Sequence, residues 1–178
     1  MKKALLIASV LFIAVISTAC INNIAVQELN SKAAEFMQKG DYESAINRLQ
    51  ASIDLDSTLF ETYYNLGIAS TNAKKYDLAI EAFENGIKIK SDYVNFYYSL
   101  AVAQAEYYEE IIEEAEDKDK KLSEELQAKA ESLKLSALSN AEKYIELAPQ
   151  ADDIDDVKEL IIDLTKPKSE EKVKLLEG

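Results

Sequence analysis

Apolar residues fall at helical spacing through most of the chain, and the spacing itself repeats. Within residues 60–91, Phe60, Tyr63, Leu66 and Gly67 mark one helical face, and Tyr76, Ala79, Ile80, Phe83, Ile87 and Ile89 mark a second. The polar stretch 72–77 separates them. Two faces of 3.6-residue period across a short polar break predict two helices folded back on each other. A step back of 34 residues carries Tyr76, Ala79, Ile80, Phe83, Ile87, Ile89 and Ser91 onto Tyr42, Ala45, Ile46, Leu49, Ile53, Leu55 and Ser57. A step forward of 34 carries Phe60, Tyr63, Leu66 and Gly67 onto Val94, Tyr97, Leu100 and Ala101. One such unit cannot cover its own apolar face, whereas stacked copies can. The pattern therefore predicts an all-α solenoid of about three helix-turn-helix repeats, closed by a C-terminal capping helix.

The middle unit, with Tyr63, Leu66, Gly67, Ala79 and Phe83, resembles the tetratricopeptide repeat family: an aromatic residue, Leu-Gly, a bulky residue, then Ala-x3-Phe and a late Pro. It departs from that pattern at Ser70 and Ser91. The first unit matches less closely, through Leu29, Lys32, Ala33, Phe36, Ala45, Leu49 and Ser57. The third reads Tyr97, Leu100, Ala101 and Gln104, then Ala137, Ala141 and Pro149. The resemblance covers about residues 26–150, as repeats at about 26–59, 60–93 and 94–150. It implies a close helix crossing at Gly67 and Ala79, with Tyr63, Leu66 and Phe83 filling the space around it.

Local signals place the turns. Gly40 suits the left-handed end of a helix and Asp41 can cap the next one. The second unit turns over 72–77 without a glycine. In the third, the alanine expected at 113 appears at Ala137, an insertion of about 24 residues lying at about 106–130. Tyr108, Ile111, Ile112 and Ala115 form one apolar seam, and Leu122, Leu126, Ala130, Leu133 and Ala137 another, across the polar turn Asp117-Lys118-Asp119-Lys120. This predicts an antiparallel hairpin with each helix lengthened by about 12 residues, roughly 18 Å, projecting past the other repeats. Its charged flanks, Glu109, Glu110, Glu113, Glu114, Glu116 and Lys129, suit either a docking arm or a solvated surface laced with ion pairs. Residues 151–166 form the capping helix, with an apolar face of Ile154, Val157, Leu160, Ile161 and Leu164. Asp152, Asp153, Asp155 and Asp156 favour its positive end and are read as caps rather than metal ligands. Lys166-Pro167 stops it, leaving 167–178 as a loose tail.

The first 19 residues have the layout of an export signal: Lys2 and Lys3, an apolar run from Ala4 to Ile16, then small residues. The run is shorter than the roughly 18 residues of a spanning helix, so a retained anchor is the second choice. Ile16-Ser17-Thr18-Ala19-Cys20 resembles the lipobox of bacterial lipoproteins, with Ser17 where Leu is most usual. That resemblance implies acylation of Cys20, which would then be the N-terminus. Each buried acyl methylene contributes about 0.8 kcal/mol, so two or three chains hold a protein durably on a membrane. Residues 20–25 leave a tether of roughly 17 Å before the first repeat. The expected location is the exported side of a bacterial cell membrane or outer membrane, with the choice between the two open.

Charge and composition narrow the chemistry. The chain carries 20 basic and 33 acidic residues, a net charge of −13, and loss of Lys2 and Lys3 with the signal leaves 18 against 33, or −15. That argues against nucleic acid. With no histidine and one cysteine, the commonest general base, the commonest metal ligand and any intrachain disulfide are missing. No calcium-loop spacing is present. No catalytic residues, metal site or cofactor are expected, and the chain is read as a non-enzyme.

The outward side of each first helix then becomes the candidate site. Within a wider set that adds Gln27, Ala34, Glu61 and Ala105, the partner groove is assigned to Asn30, Met37, Tyr64, Asn65, Ile68, Asn95, Tyr98 and Val102. Aromatic and apolar anchors there suit a partner's helix or extended segment. Packing of Tyr64, Ile68, Tyr98 and Val102 under a neighbouring helix is the competing account. Tetratricopeptide domains that clamp a peptide carboxylate use Asn with Lys and Arg on this face. Here Asn65 is accompanied by Asn30, Ala34, Asn95 and Ser99 and no base, so that function is not carried over. The expectation is a lipid-anchored scaffold or adaptor for unidentified envelope proteins. The alternative is a transporter-associated repeat lipoprotein that docks a solute-binding protein or a small ligand. Oligomeric state is open.

Overall fold

Each turn in the chain is set by a local backbone device. Gly40 takes φ +73°, the N–H of Asp41 bonds the Phe36 carbonyl at 2.9 Å, and the Asp41 carboxylate accepts from the Ser44 N–H at 3.1 Å. These end helix α1 (23–38) and start α2 (Tyr42–Leu55). Between α3 (Phe60–Asn72) and α4 (Tyr76–Ile89) there is no glycine, and Lys74 takes the left-handed conformation, φ 57°. A non-glycine residue there costs roughly 1–2 kcal/mol. Three further helices follow, α5 (Asn95–Asp117), α6 (Glu124–Leu147) and α7 (Ile154–Thr165). The computed structural model describes residues 23–117 and 122–166, and no strand occurs among them. The signal, Cys20, most of the hairpin turn and the tail from 167 lie outside the described residues.

Helix pairs α1–α2, α3–α4 and α5–α6 stack as a solenoid, and the crossing inside each pair is fitted by size. Gly67 leaves the space that the Phe83 ring fills, so that any side chain at 67 would collide with it. One repeat earlier the same two positions are Ala33 and Leu49, and in the third repeat they are Ala101 and Ala141. All six residues are buried, each pair of alternatives within one apolar cluster. A small residue faces a large one, or two small ones meet with Tyr144 beside them.

The joints between repeats follow the same period with different chemistry. Between the first and second repeats, Asn30 donates to the Ser52 hydroxyl at 3.0 Å and accepts from the Thr62 hydroxyl at 3.3 Å. Ser52 and Thr62 are fully buried. Thirty-four residues on, the same three positions are Tyr64, Gly86 and Phe96. There Tyr64 and Phe96 meet edge to face with ring centres 5.6 Å apart, and Phe96 occupies the space left by Gly86. A hydrogen-bonded joint is thus replaced by an aromatic one.

The inserted hairpin is formed by α5 and α6, 23 and 24 residues long against 13 or 14 for α2 to α4. Tyr108, Ile111, Ile112, Ala115, Leu122, Ala130, Leu133 and Ala137 form its core with Leu164 of α7. Leu126, placed in that seam by its spacing, is instead exposed. It lies in the first turn of α6, which Ser123 caps by accepting from the Leu126 N–H, and Leu122, just before the helix, is the buried residue at that end. The hairpin base is braced on the first turn of α4. Tyr107 stacks on Tyr76 at 5.3 Å, its hydroxyl donates to Asp77, and Lys129 sits 4.4 Å over its ring.

Helix α7 buries Val157 and Leu164, with Ile154, Leu160 and Ile161 half-buried against the third repeat. Asp153 stands at its N-cap but gives no side-chain cap. Its carboxylate accepts the Tyr144 hydroxyl at 2.5 Å instead, fastening α7 to α6. Asp155 pairs with Lys158. For Asp153, a tertiary hydrogen bond therefore replaces the expected cap.

Candidate docking groove

Residues four apart on α3 and α5 face one another across an open cleft of about 300 Å³. Ile68, Thr71 and Asn72 line it from α3, and Tyr98, Ser99, Val102 and Glu106 from α5. Thr71 and Asn72 each donate one hydrogen bond back to α3, to the carbonyls of Gly67 and Ile68. Tyr98 packs on Tyr144 at 5.5 Å. Burial, and then the nearby Asp156 and Asp153 carboxylates, push its phenol above the usual tyrosine range.

Glu106 also lines a second, larger cleft of about 660 Å³. Ala105, Leu160, Leu164 and Tyr76 supply its apolar surface, and Glu106, Glu109, Glu110, Glu113 and Asp163 its acids; among the described residues Lys74 is the one base in its lining, and Lys166 pairs with Asp163 from outside it. Burial pushes the Glu106 carboxyl upward, partly offset by a hydrogen bond from Tyr76 and the charge of Lys74. The Tyr76 phenol is pushed up to about 12, first by burial and then by the charges of Glu106 and Glu110.

Of the residues assigned to the groove, Ile68, Tyr98 and Val102 come together in the smaller cleft. Tyr64 lies among Phe83, Tyr93 and Phe96, and its hydroxyl accepts from Ser99 at 3.3 Å. Asn30 is held in the joint with Ser52 and Thr62. Met37 packs half-buried beside the first-repeat core. Asn65 is half-buried on α3. Asn95, exposed at the start of α5, donates to the Tyr93 hydroxyl at 3.4 Å. Cys20 lies outside the described residues. Sequence reasoning missed the acidic cleft beside the groove, although the signal was present. Tyr98, Val102, Glu106, Glu109 and Glu113 fall at steps of three or four on one helix.

Among the described residues no group of three or more potential ligands could hold a metal ion, and no helix is long and apolar enough to cross a membrane.

Residues 33–70, spanning the end of α1, all of α2 and most of α3, match the family model described as TPR repeat. No curated protein matches the chain in sequence. Among solved structures, the second TPR domain of the human RPAP3 protein, in complex with an HSP70 peptide, is similar at 14% identity. That match covers 82% of this chain and 99% of that one, with a TM-score of 0.63. The TPR domain of Arabidopsis OM64 is 16% identical over 83% and 99%, TM-score 0.62. The Yersinia enterocolitica type III secretion chaperone SycD, in complex with a peptide of the translocator YopD, is 19% identical over 78% and 90%, TM-score 0.59. The fold is a tetratricopeptide-repeat solenoid, an architecture whose stacked helices present a concave surface to other proteins.

Proposed function

We propose that this chain is a non-catalytic docking module which holds a segment of a partner protein in the groove between α3 and α5, and that a lipid on Cys20 tethers it to the exported face of a bacterial membrane. The observation that carries the docking reading is the open cleft flanked by Ile68, Tyr98 and Val102. Apolar and aromatic groups at the centre of a concavity are where binding energy concentrates. The acid-ending peptide named for the RPAP3 domain, SGPTIEEVD, would meet the carboxylates of Glu106 and Glu110 here, so this groove takes a different sequence. The tether rests on the order of Lys2, Lys3, the apolar run and Cys20.

The test places a photo-crosslinking residue at Val102 in living cells, with a second at Glu131 on the outside of α6 as the reference. Protein adducts at 102 and none at 131 are expected. Equal labelling at both would sink the groove. Metabolic labelling with an alkyne fatty acid tests the tether. Label should enter the wild-type protein and be absent from Cys20→Ser, and a wild-type protein that stays unlabelled ends that reading. A closed apolar cavity would have favoured the small-ligand alternative, and both clefts here are open.

A further inference from the structure

We infer that the end of the solenoid nearest Cys20 rests on the bilayer, with Ile24, Leu55, Ile89 and Leu147 set into a surface of zwitterionic lipid. This inference rests on the lipid tether at Cys20 and adds which face of the repeats meets the membrane. Leu55, Ile89 and Leu147 are the last residues of α2, α4 and α6. Residues 55 and 89 are one 34-residue step apart, and 147 holds the same place in the third repeat once the insertion is allowed for. The two helices of each pair run antiparallel, so the ends of α2, α4 and α6 share one end of the solenoid with the starts of α1, α3 and α5. Ile24 stands there too, in the first turn of α1.

These side chains have no part in the core. Ile24, Leu55, Ile89 and Leu147 are 68, 41, 40 and 41% exposed, and none belongs to an apolar cluster. Ile53, Ile87 and Ile145, two residues earlier on α2, α4 and α6, all pack against one. Single exposed apolar side chains are ordinary. Here one recurs at the same place in every repeat, and all converge on one end. The tether names what covers them. Helix α1 begins at residue 23, so an acylated Cys20 is held within roughly 10 Å of it. A lipid on so short a lead brings this end of the solenoid to the head groups. The lysines of this end are engaged, Lys90 with Asp92, Lys143 with Glu146 and Lys88 with the Asn85 carboxamide. Asp54, Asp56, Asp152 and Asp153 lie among them. Anionic lipid is held by clusters of bases, which this end does not offer, so neutral head groups are the surface it fits. Standing this way, the solenoid carries Ile68 and Val102 about 10–12 Å along their helices from the bilayer, and the inserted hairpin points away from it.

The test uses the lipidated chain in phosphatidylcholine vesicles that carry a nitroxide near the lipid head group. An environment-sensitive fluorescent residue is placed singly at Ser57, Ser91 or Gln150 on this end, and at Lys39 or Glu124 on the other, all five positions being exposed. Quenching at the first three should be about threefold stronger or more than at the last two. Gln150 decides most, because it lies at the far repeat from the tether. With Ile24→Gln, Leu55→Gln, Ile89→Gln and Leu147→Gln together, quenching at Ser91 and Gln150 should fall about twofold or more while the protein still floats with the vesicles. The contrast between the two ends of the wild-type chain remains a test even if that variant fails to fold. Equal quenching at both ends, or quenching confined to Ser57, in protein that floats would overturn the inference and leave the tether standing. Quenching that appears only when phosphatidylglycerol is added would overturn the assignment to neutral lipid. A chain whose mass shows no acyl group would end the tether reading and this inference with it.

Discussion

Gly86 and Phe96 provide the sharpest check on how the repeats are joined. Phe96 is fully buried among Phe60, Tyr64, Phe83 and Tyr93, with ring centres 5.4–6.3 Å away. Phe96→Ala removes a buried ring, at about 3–5 kcal/mol, and four aromatic contacts put it in the upper half of that range. Gly86→Ala does two opposing things. Alanine in a helix interior gains about 1 kcal/mol over glycine, while its methyl group is driven into the Phe96 ring, an overpacking that costs about 1–3 kcal/mol. The single change should thus be neutral to destabilising by about 2 kcal/mol. In the Phe96→Ala background the ring is gone and only the helical gain remains, so the same Gly86→Ala change should stabilise by about 1 kcal/mol. The coupling between the two positions is then about 1–3 kcal/mol, measurable by urea unfolding followed by circular dichroism on all four proteins. Effects that add to within about 0.5 kcal/mol would refute the fitted glycine–ring joint.

Other consequences follow from the same contacts. Asn30→Ala strands the buried hydroxyls of Ser52 and Thr62. It should cost about 1–3 kcal/mol, most of it recovered when Ser52→Ala and Thr62→Val are added; a triple variant no more stable than the single in urea would count against the polar joint. The phenols of Tyr76 and Tyr144 are both pushed up to about 12, chiefly by burial. Their pKa values are raised in the folded state, so their contribution is complete below about pH 10 and is lost as pH climbs toward 12, by at most roughly 2–3 kcal/mol each. Unfolding midpoints should fall across that window, and less steeply in Tyr144→Phe; an unchanged slope would remove Tyr144 from the account. Tyr107→Ala deletes the stack on Tyr76 and the seat of Lys129. Amide exchange should quicken in the first half of α6 and stay unchanged in α2, and uniform quickening would show that the hairpin is not braced there.

The period of 34 residues was legible because burial imposes it: Leu49 and Phe83 are core residues with small partners one helix away. The turn at Gly40 was legible for a backbone reason that acts within three residues. What escaped was set by contacts between repeats. Asn30, Ser52 and Thr62 look like surface positions when each helix is taken alone; the contact between repeats buries Ser52 and Thr62 and half-buries Asn30. Leu126 followed the right spacing and still faces solvent in the first turn of α6, while Leu122, ahead of the serine cap, is buried. The acids of the larger cleft were visible as charges on the hairpin flank. That they line a cleft became apparent only when α7 placed Leu160, Asp163 and Leu164 opposite them.

The first helices of the three repeats can be compared layer by layer at the 34-residue step. Asn30, Tyr64 and Tyr98 form the layer that meets the neighbouring helices: Asn30 bonds Ser52, Tyr64 packs on Phe96, and Tyr98 packs on Tyr144. One turn further along lie Ala34, Ile68 and Val102, and one turn beyond those Gln38, Asn72 and Glu106. Apolar bulk in the second layer enters at repeat two, and charge in the third layer enters only at repeat three. The layers are therefore graded along the solenoid: the first repeat presents Ala34 and Gln38, the second Ile68 and Asn72, and the third Val102 and the acid Glu106. The same inserted hairpin that breaks the period at residue 106 extends α5 far enough to carry Glu109, Glu110 and Glu113 past the end of the ordinary repeat. The insertion thus carries α5 past the length of an ordinary repeat, and Tyr107 and Lys129 brace that added length on α4.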